Sequence, residues 1–199
     1  MGIKQSDTFK MKKIAILASG SGTNAENIAE YFLKSDKARV CLIASNNPEA
    51  GVIRRARRLH IPVLLFDRTS FSKTGQVTDI LKKLDIDLVV LAGFMMLIPD
   101  GLVKAFDGRM INIHPALLPK FGGKGMYGQF VHEAVVATGE KETGITIHFV
   151  NEHYDEGEVI FQASCPVSPS DTPEDVAGKV HQLEYEHFPV VIEQVLESL

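Results

Sequence analysis

The sequence predicts an α/β fold: a Rossmann-like, doubly wound, mostly parallel sheet with an added antiparallel strand pair near the C-terminus and a long final helix. Three observations predict it. Short, β-branched apolar runs alternate with amphipathic stretches through the first half of the chain. A glycine-rich turn follows the first run and opens the first amphipathic stretch. Later, two runs at 144–150 and 159–166 stand close together with only a short connection between them, as paired antiparallel strands do.

Taken in order, the strands fall at 14–18, 40–45, 63–66, 88–92 and 110–113, each a short apolar run. Between them the sequence predicts helices at 24–33, 49–59, 74–84 and 99–106. Right-handed crossovers between parallel strands then layer helices on both faces of the sheet. A further helix at 129–138 precedes the antiparallel pair. The last helix opens at Thr172-Pro173-Glu174-Asp175, with a hydroxyl N-cap, proline at the first helical position and acids facing the positive end of the helix dipole. It runs to about Leu196 and is expected to bend or break at Pro189. Residues 1–10 are polar and precede a second methionine, Met11, so they are read as an extension; residues 11–199 form one domain.

Composition narrows the function. With 199 residues, 45% hydrophobic and 23% charged, the chain can bury one good core. A net charge of -4 and the lack of a long basic run argue against a nucleic-acid surface. Arg54, Arg55, Arg57 and Arg58 form the one basic cluster, at a spacing that suits a solvated helix face. Cys41 and Cys165 read as small core residues of a reducing, cytoplasmic compartment. Neither a membrane span nor a secretory signal is expected.

Three segments carry chemistry. Asn112 and His114 lie two apart at the end of the fifth strand, so both side chains leave it on one face, just before Pro115. An amide and an imidazole so placed can donate to a developing oxyanion, or can simply satisfy loop backbone groups. Ser19 to Ala25 follows the first strand, and its amides at a helix N-terminus make a cradle for phosphate, or only a tight turn. A nicotinamide fingerprint is disfavoured because the second strand ends Ser45-Asn46-Asn47, without the acid that would hold a ribose; no Walker loop is present. Asp155, in the turn Tyr154-Asp155-Glu156-Gly157, is either a turn aspartate or, if the turn folds back on His114, a carboxylate beside an imidazole. His114, His132, His148 and His153 lack the tight pairing on a helix face expected of zinc ligands, so no metal is expected. Leu91 to Ile98 is either core or an apolar cleft for a flat heterocycle.

Together the loop A-S-G-S-G-T-N, the strand L-V-V-L-A-G-F-M, the segment I-N-I-H-P-A-L-L-P-K-F, the stretch G-I-T-I-H-F-V and the turn Y-D-E-G-E-V-I-F-Q resemble the folate-dependent formyltransferase family, in order from about Lys12 to Leu196. The resemblance is nearest to its phosphoribosylglycinamide formyltransferases. It implies formyl transfer from 10-formyltetrahydrofolate, a cosubstrate and not a tightly bound cofactor, to the amine of glycinamide ribonucleotide in purine synthesis. It implies a catalytic trio of Asn112, His114 and Asp155, with Asp155 keeping His114 charged. Gly22, Thr23 and Asn24 would hold the substrate phosphate and Glu184 its ribose. Met95, Met96, Leu97, Ile98 and Val103, with Asn112, would form the folate pocket. Lys73 is the choice for the family's basic side chain after the third strand. The alternatives are a 10-formyltetrahydrofolate hydrolase or a nucleotide- or folate-binding module without turnover. Partners are small molecules, with no nucleic acid or membrane, and the state expected is monomer or homodimer. Ala116 stands where the family usually has serine, and the stretch from Lys120 to Gly128 departs from the family's proline-containing loop.

Overall fold

A computed structural model describes residues 10–199. The extension expected over 1–10 therefore lies, but for Lys10, outside the described residues. Seven strands form one sheet in the order β3-β2-β1-β4-β5-β6-β7. They are β1 (Lys12–Leu17), β2 (Ala38–Ser45), β3 (Val63–Leu65), β4 (Leu88–Leu91), β5 (Met110–His114), β6 (Glu142–Phe149) and β7 (Val159–Pro166). Strands β1 to β5 pair in parallel, whereas β6 runs antiparallel to both β5 and β7. The expected antiparallel pair thus extends the same sheet.

Burial on both sheet faces explains the nearly unbroken apolar runs. Ile14, Ile16, Leu88 and Val90 pack into one core with helices α1 (Thr23–Phe32), α2 (Gly51–Arg58), α6 (Gln129–Ala137) and α7 (Pro173–Ser198). The alternating partners Ala15, Leu17, Val89 and Leu91 pack into a second core with α3 (Arg68–Ser72), α4 (Gln76–Lys83) and α5 (Asp100–Ala105). The two layers follow from the period of two along each strand.

Two helices differ from expectation. The helix expected over 74–84 forms as α4, and an additional short helix, α3, precedes it; Asp67 caps α3 by accepting from the Ser70 amide at 2.7 Å. Nor is α7 broken at Pro189, which stands inside a helix of 26 residues. Proline cannot donate to the carbonyl four residues back, that of Tyr185. Asn27 of α1 supplies the missing donor, its Nδ2 lying 2.9 Å from the Tyr185 oxygen. The arginine cluster is also less free than expected, since Arg55 and Arg58 both pair with Glu26 and Arg55 Nε donates to the Ser21 carbonyl at 2.9 Å.

Candidate active site

The strand order reverses between β2-β1 and β4-β5, and a cleft opens at the C-terminal ends of β1 and β4, as the topology requires. Its volume is about 470 Å³. The loop from Gly20 to Asn24 forms one wall. Gly22 adopts φ 78° and is the N-cap of α1, with no side chain closing the helix end. A Cβ there would lie 2.4 Å from Val52, so only glycine lets the loop pack on α2. Ser19 ties this loop to the one after β4, donating to Asn46 Oδ1 at 2.7 Å and accepting from the Met95 amide at 3.1 Å.

Asn112 and His114 reach the same cleft from β5. The antiparallel register sets Asn112 opposite His148 and His114 opposite Thr146 on β6. The Phe149 carbonyl, which can only accept, lies 2.8 Å from His148 Nδ1, so that nitrogen carries the proton. In the neutral ring His148 Nε2 is then an acceptor, and it takes a bond from Asn112 Nδ2 at 3.1 Å. The second N–H of that amide lies 3.5 Å from Asp155 Oδ1, at the limit of a hydrogen bond.

The turn after β6 does fold back. A Cβ on Gly157 would lie 1.6 Å from the Phe149 oxygen, a close approach that holds the turn against the strand end. Asp155 adopts φ 55° and points inward, with Oδ2 3.5 Å from His114 Nδ1 and Oδ1 3.7 Å from His148 Nε2. The Gly123 amide donates to Oδ2 at 3.0 Å. Burial pushes the Asp155 carboxyl up, but the His148 and His114 rings beside it and the Gly123 amide together hold it below its ordinary value. The group stays ionised.

His114 behaves otherwise than expected. Its Nε2 lies 2.7 Å from the Phe121 carbonyl and its Nδ1 faces Asp155, so both nitrogens face acceptors that suit an imidazolium. Yet the ring is only 3% exposed, and burial carries its pKa below the ordinary value despite the pull of Asp155 and the Phe121 oxygen. Asp155 thus raises the His114 pKa, while burial lowers it by more. The departing segment, far from idle, supplies the Phe121 carbonyl and Gly123 amide that hold His114 and Asp155.

A smaller cavity, about 60 Å³, adjoins the first and is bordered by Leu91, Met96, Leu97, Ile98, His148 and Val150. Asn112, Phe94, Tyr154 and Asp155 border both cavities, and His114 borders the larger one beside them. Met95 faces the larger cleft instead. Val103 is buried in α5 and borders neither, and Lys73 borders neither because it ends α3, its amide bonded to the Thr69 carbonyl at 2.9 Å. The basic side chain at the larger cleft is Lys124, from the glycine-rich loop. Glu184 borders the larger cleft from α7, only 5% exposed and accepting from Asn24 Nδ2 at 2.9 Å, with burial pushing its carboxyl up.

Sequence reasoning missed His148 as a partner of Asn112. The signal was present, since Thr146 and His148 repeat on β6 the spacing of Asn112 and His114 on β5. His132 and His181, which also border the cleft, left no local signal. Among the described residues no group of three or more His, Cys, Asp or Glu is arranged to hold a metal ion, and no helix is long and apolar enough to cross a membrane.

The formyl transferase family profile matches residues 12–192. A chloroplastic phosphoribosylglycinamide formyltransferase of Vigna unguiculata is 41% identical over 196 residues, covering 96% of this chain and 63% of its own length. The chain thus spans under two thirds of that relative. A phosphoribosylglycinamide formyltransferase of Haemophilus influenzae is 37% identical over 193 residues, covering 94% of this chain and 89% of its own. The crystal structure of glycinamide ribonucleotide transformylase 1 from Symbiobacterium toebii superimposes with a TM-score of 0.88 at 33% identity, covering 98% of this chain and 92% of that one. With this fold, this matched length and this likeness, the chain belongs to the formyl transferase family, beside the phosphoribosylglycinamide formyltransferases.

Proposed function

We propose that the chain transfers the formyl group of 10-formyltetrahydrofolate to the amine of glycinamide ribonucleotide; its relatives' names describe formyl transfer involving phosphoribosylglycinamide. The observation that carries this reading is the junction of the two cavities at Asn112 and Asp155. One side offers a helix N-terminus with uncapped amides for an anion, with Lys124 nearby. The other offers an apolar recess, lined by Leu91, Leu97 and Ile98, for the edge of a flat ring. A formyl donor and a phosphorylated amine held on either side would meet at the trio. The folate serves as cosubstrate, and the protein contributes orientation and electrostatics.

The chemistry then follows. The acceptor amine attacks the formyl carbon, a C–N bond forms, and the carbonyl electron pair moves to oxygen. The Asn112 N–H that rests 3.5 Å from Asp155 turns to this oxyanion, its other N–H staying on His148. Protonated His114 adds its Nδ1–H, Nε2–H staying on the Phe121 carbonyl; the ring's depressed pKa rises as negative charge develops beside it, so its help grows toward the transition state. The ionised Asp155 takes the proton of the attacking nitrogen through a water and returns it to N10 as the C–N10 bond breaks. Mass spectrometry of purified protein given 10-formyltetrahydrofolate, with and without glycinamide ribonucleotide, tests the reading. Formylated acceptor formed only with both present is expected. Deformylated folate without acceptor would mark a hydrolase, and no product at all would mark a binding module.

A further inference from the structure

The loop from Gly20 to Asn24 borders the larger cleft, whereas no residue of α2 does; α2 backs the loop. Three successive carbonyls of the loop are tied down. That of Gly20 accepts from the Val52 amide at 3.2 Å, that of Ser21 from Arg55 Nε at 2.9 Å, and that of Gly22 from the Glu26 amide at 2.9 Å. In a trans peptide the N–H points opposite to the C=O, so fixing these carbonyls fixes the directions of the Ser21, Gly22 and Thr23 amides. Two of the three bonds join backbone to backbone. The Ser21 carbonyl alone is held by a side chain, and with it the direction of the Gly22 amide. At the start of α2 a Cβ on Gly51 would lie 3.0 Å from the Ser21 oxygen, so glycine leaves that carbonyl room to meet Arg55.

Arg55 is itself aimed. Its Nη1 pairs with Glu26 Oε2 in the first turn of α1, and Arg58 Nη2 pairs with the other oxygen of the same carboxylate. The Glu26 side chain is only 14% exposed, so these pairs are little screened by solvent. A guanidinium suits the task, because its rigid planar fork sets Nε–H and Nη–H on two acceptors at once. We infer that Arg55 is a positioning residue for the acceptor's phosphate: it touches no ligand, but by holding the Ser21 carbonyl it presents the Gly22 amide to the anion at the N-terminus of α1. Arg58, which pairs with Glu26 and makes no hydrogen bond to the loop, has no such part. The inference rests on the function proposed above.

Steady-state transfer by wild type, Arg55→Met, Arg55→Lys and Arg58→Met, each substrate varied with the other saturating, tests it. Arg55→Met should raise KM for glycinamide ribonucleotide about tenfold, the change expected when a charged group's hydrogen bond is lost. KM for 10-formyltetrahydrofolate and kcat should stay within about twofold of wild type, because neither the folate nor the chemistry uses the loop. Glycinamide riboside, which lacks the phosphate, should serve wild type and Arg55→Met equally. Arg55→Lys keeps the charge, but it has one nitrogen for two acceptors and the carboxylate is the stronger, so the ribonucleotide KM should rise nearly as far. That variant carries the test if Arg55→Met does not fold. Arg58→Met, which also removes a partner of Glu26, should leave both KM values unchanged. A ribonucleotide KM equal to wild type in Arg55→Met, equal rises for both substrates, a matching loss with the riboside, an equal rise in Arg58→Met, or full rescue by lysine would overturn the inference while the function stood. A wild type that transfers nothing would remove both.

Discussion

His114 lies between two oxygen acceptors in a pocket almost closed to water, and its protonation is set by burial against the Asp155 charge. Replacing that charge by an isosteric amide removes the stronger of the influences that raise the ring's pKa. Asp155→Asn should therefore move the NMR titration of His114 to still lower pH and slow single-turnover transfer, with ligand affinities little changed. An unchanged titration with full activity would return Asp155 to the role of a turn residue. The pair Asn112 and His114 was legible because a strand has a period of two and both residues stand before a proline. His148 was not, because its place opposite Asn112 depends on a strand register set by residues far along the chain. Lys73 misled for the opposite reason. Position after the third strand suggested the cleft, but the unforeseen α3 ends there, and Lys124 borders the cleft instead.

Among the elements, α1 does two tasks: its N-terminus faces the cleft and its flank repairs α7. Gly22→Val should lower the thermal midpoint, since φ 78° is strained for a branched side chain and Val52 already fills the space. Ribonucleotide binding should fall more than folate binding in whatever protein remains folded. Equal losses for the two ligands would mark the loop as only a turn. Asn27→Ala should cost about 1 kcal/mol in denaturant unfolding, the usual worth of a hydrogen bond, because the Tyr185 carbonyl loses its donor. In a Pro189→Ala background, which restores the helical N–H, the same change should cost less; equal costs would refute the repair. Strands and most helices were legible because apolar periodicity is local. The continuity of α7 was not, because proline's local rule is overridden by a side chain on another helix.

The whole molecule is tuned by groups in the cleft. Burial pulls His132 from 6.5 to about 4, with smaller contributions from the His181 and His114 charges. The unfolded chain therefore takes up its proton first as pH falls, so this group's stabilisation is complete above 6.5 and is lost as pH drops toward 4. His114, also depressed, adds in the same direction, whereas the raised Glu184 favours the fold at low pH and loses that contribution as pH rises through its folded value. Thermal midpoints between pH 7 and 5 should thus fall less in His132→Leu than in wild type. Parallel curves would show that the ring is not buried neutral. At this scale the doubly wound architecture was legible, and with it the end of the sheet where ligands belong. The meeting of two cavities at Asn112 and Asp155 was not, since it needs the turn at Asp155 and the loop at Phe121 to fold over β5. That meeting is the central claim, and single-turnover formyl transfer by Asn112→Ala, with both ligands saturating, tests it most directly. Loss of the oxyanion donor should slow transfer by about 10² to 10³ with both affinities retained. A rate near that of wild type would place the chemistry elsewhere.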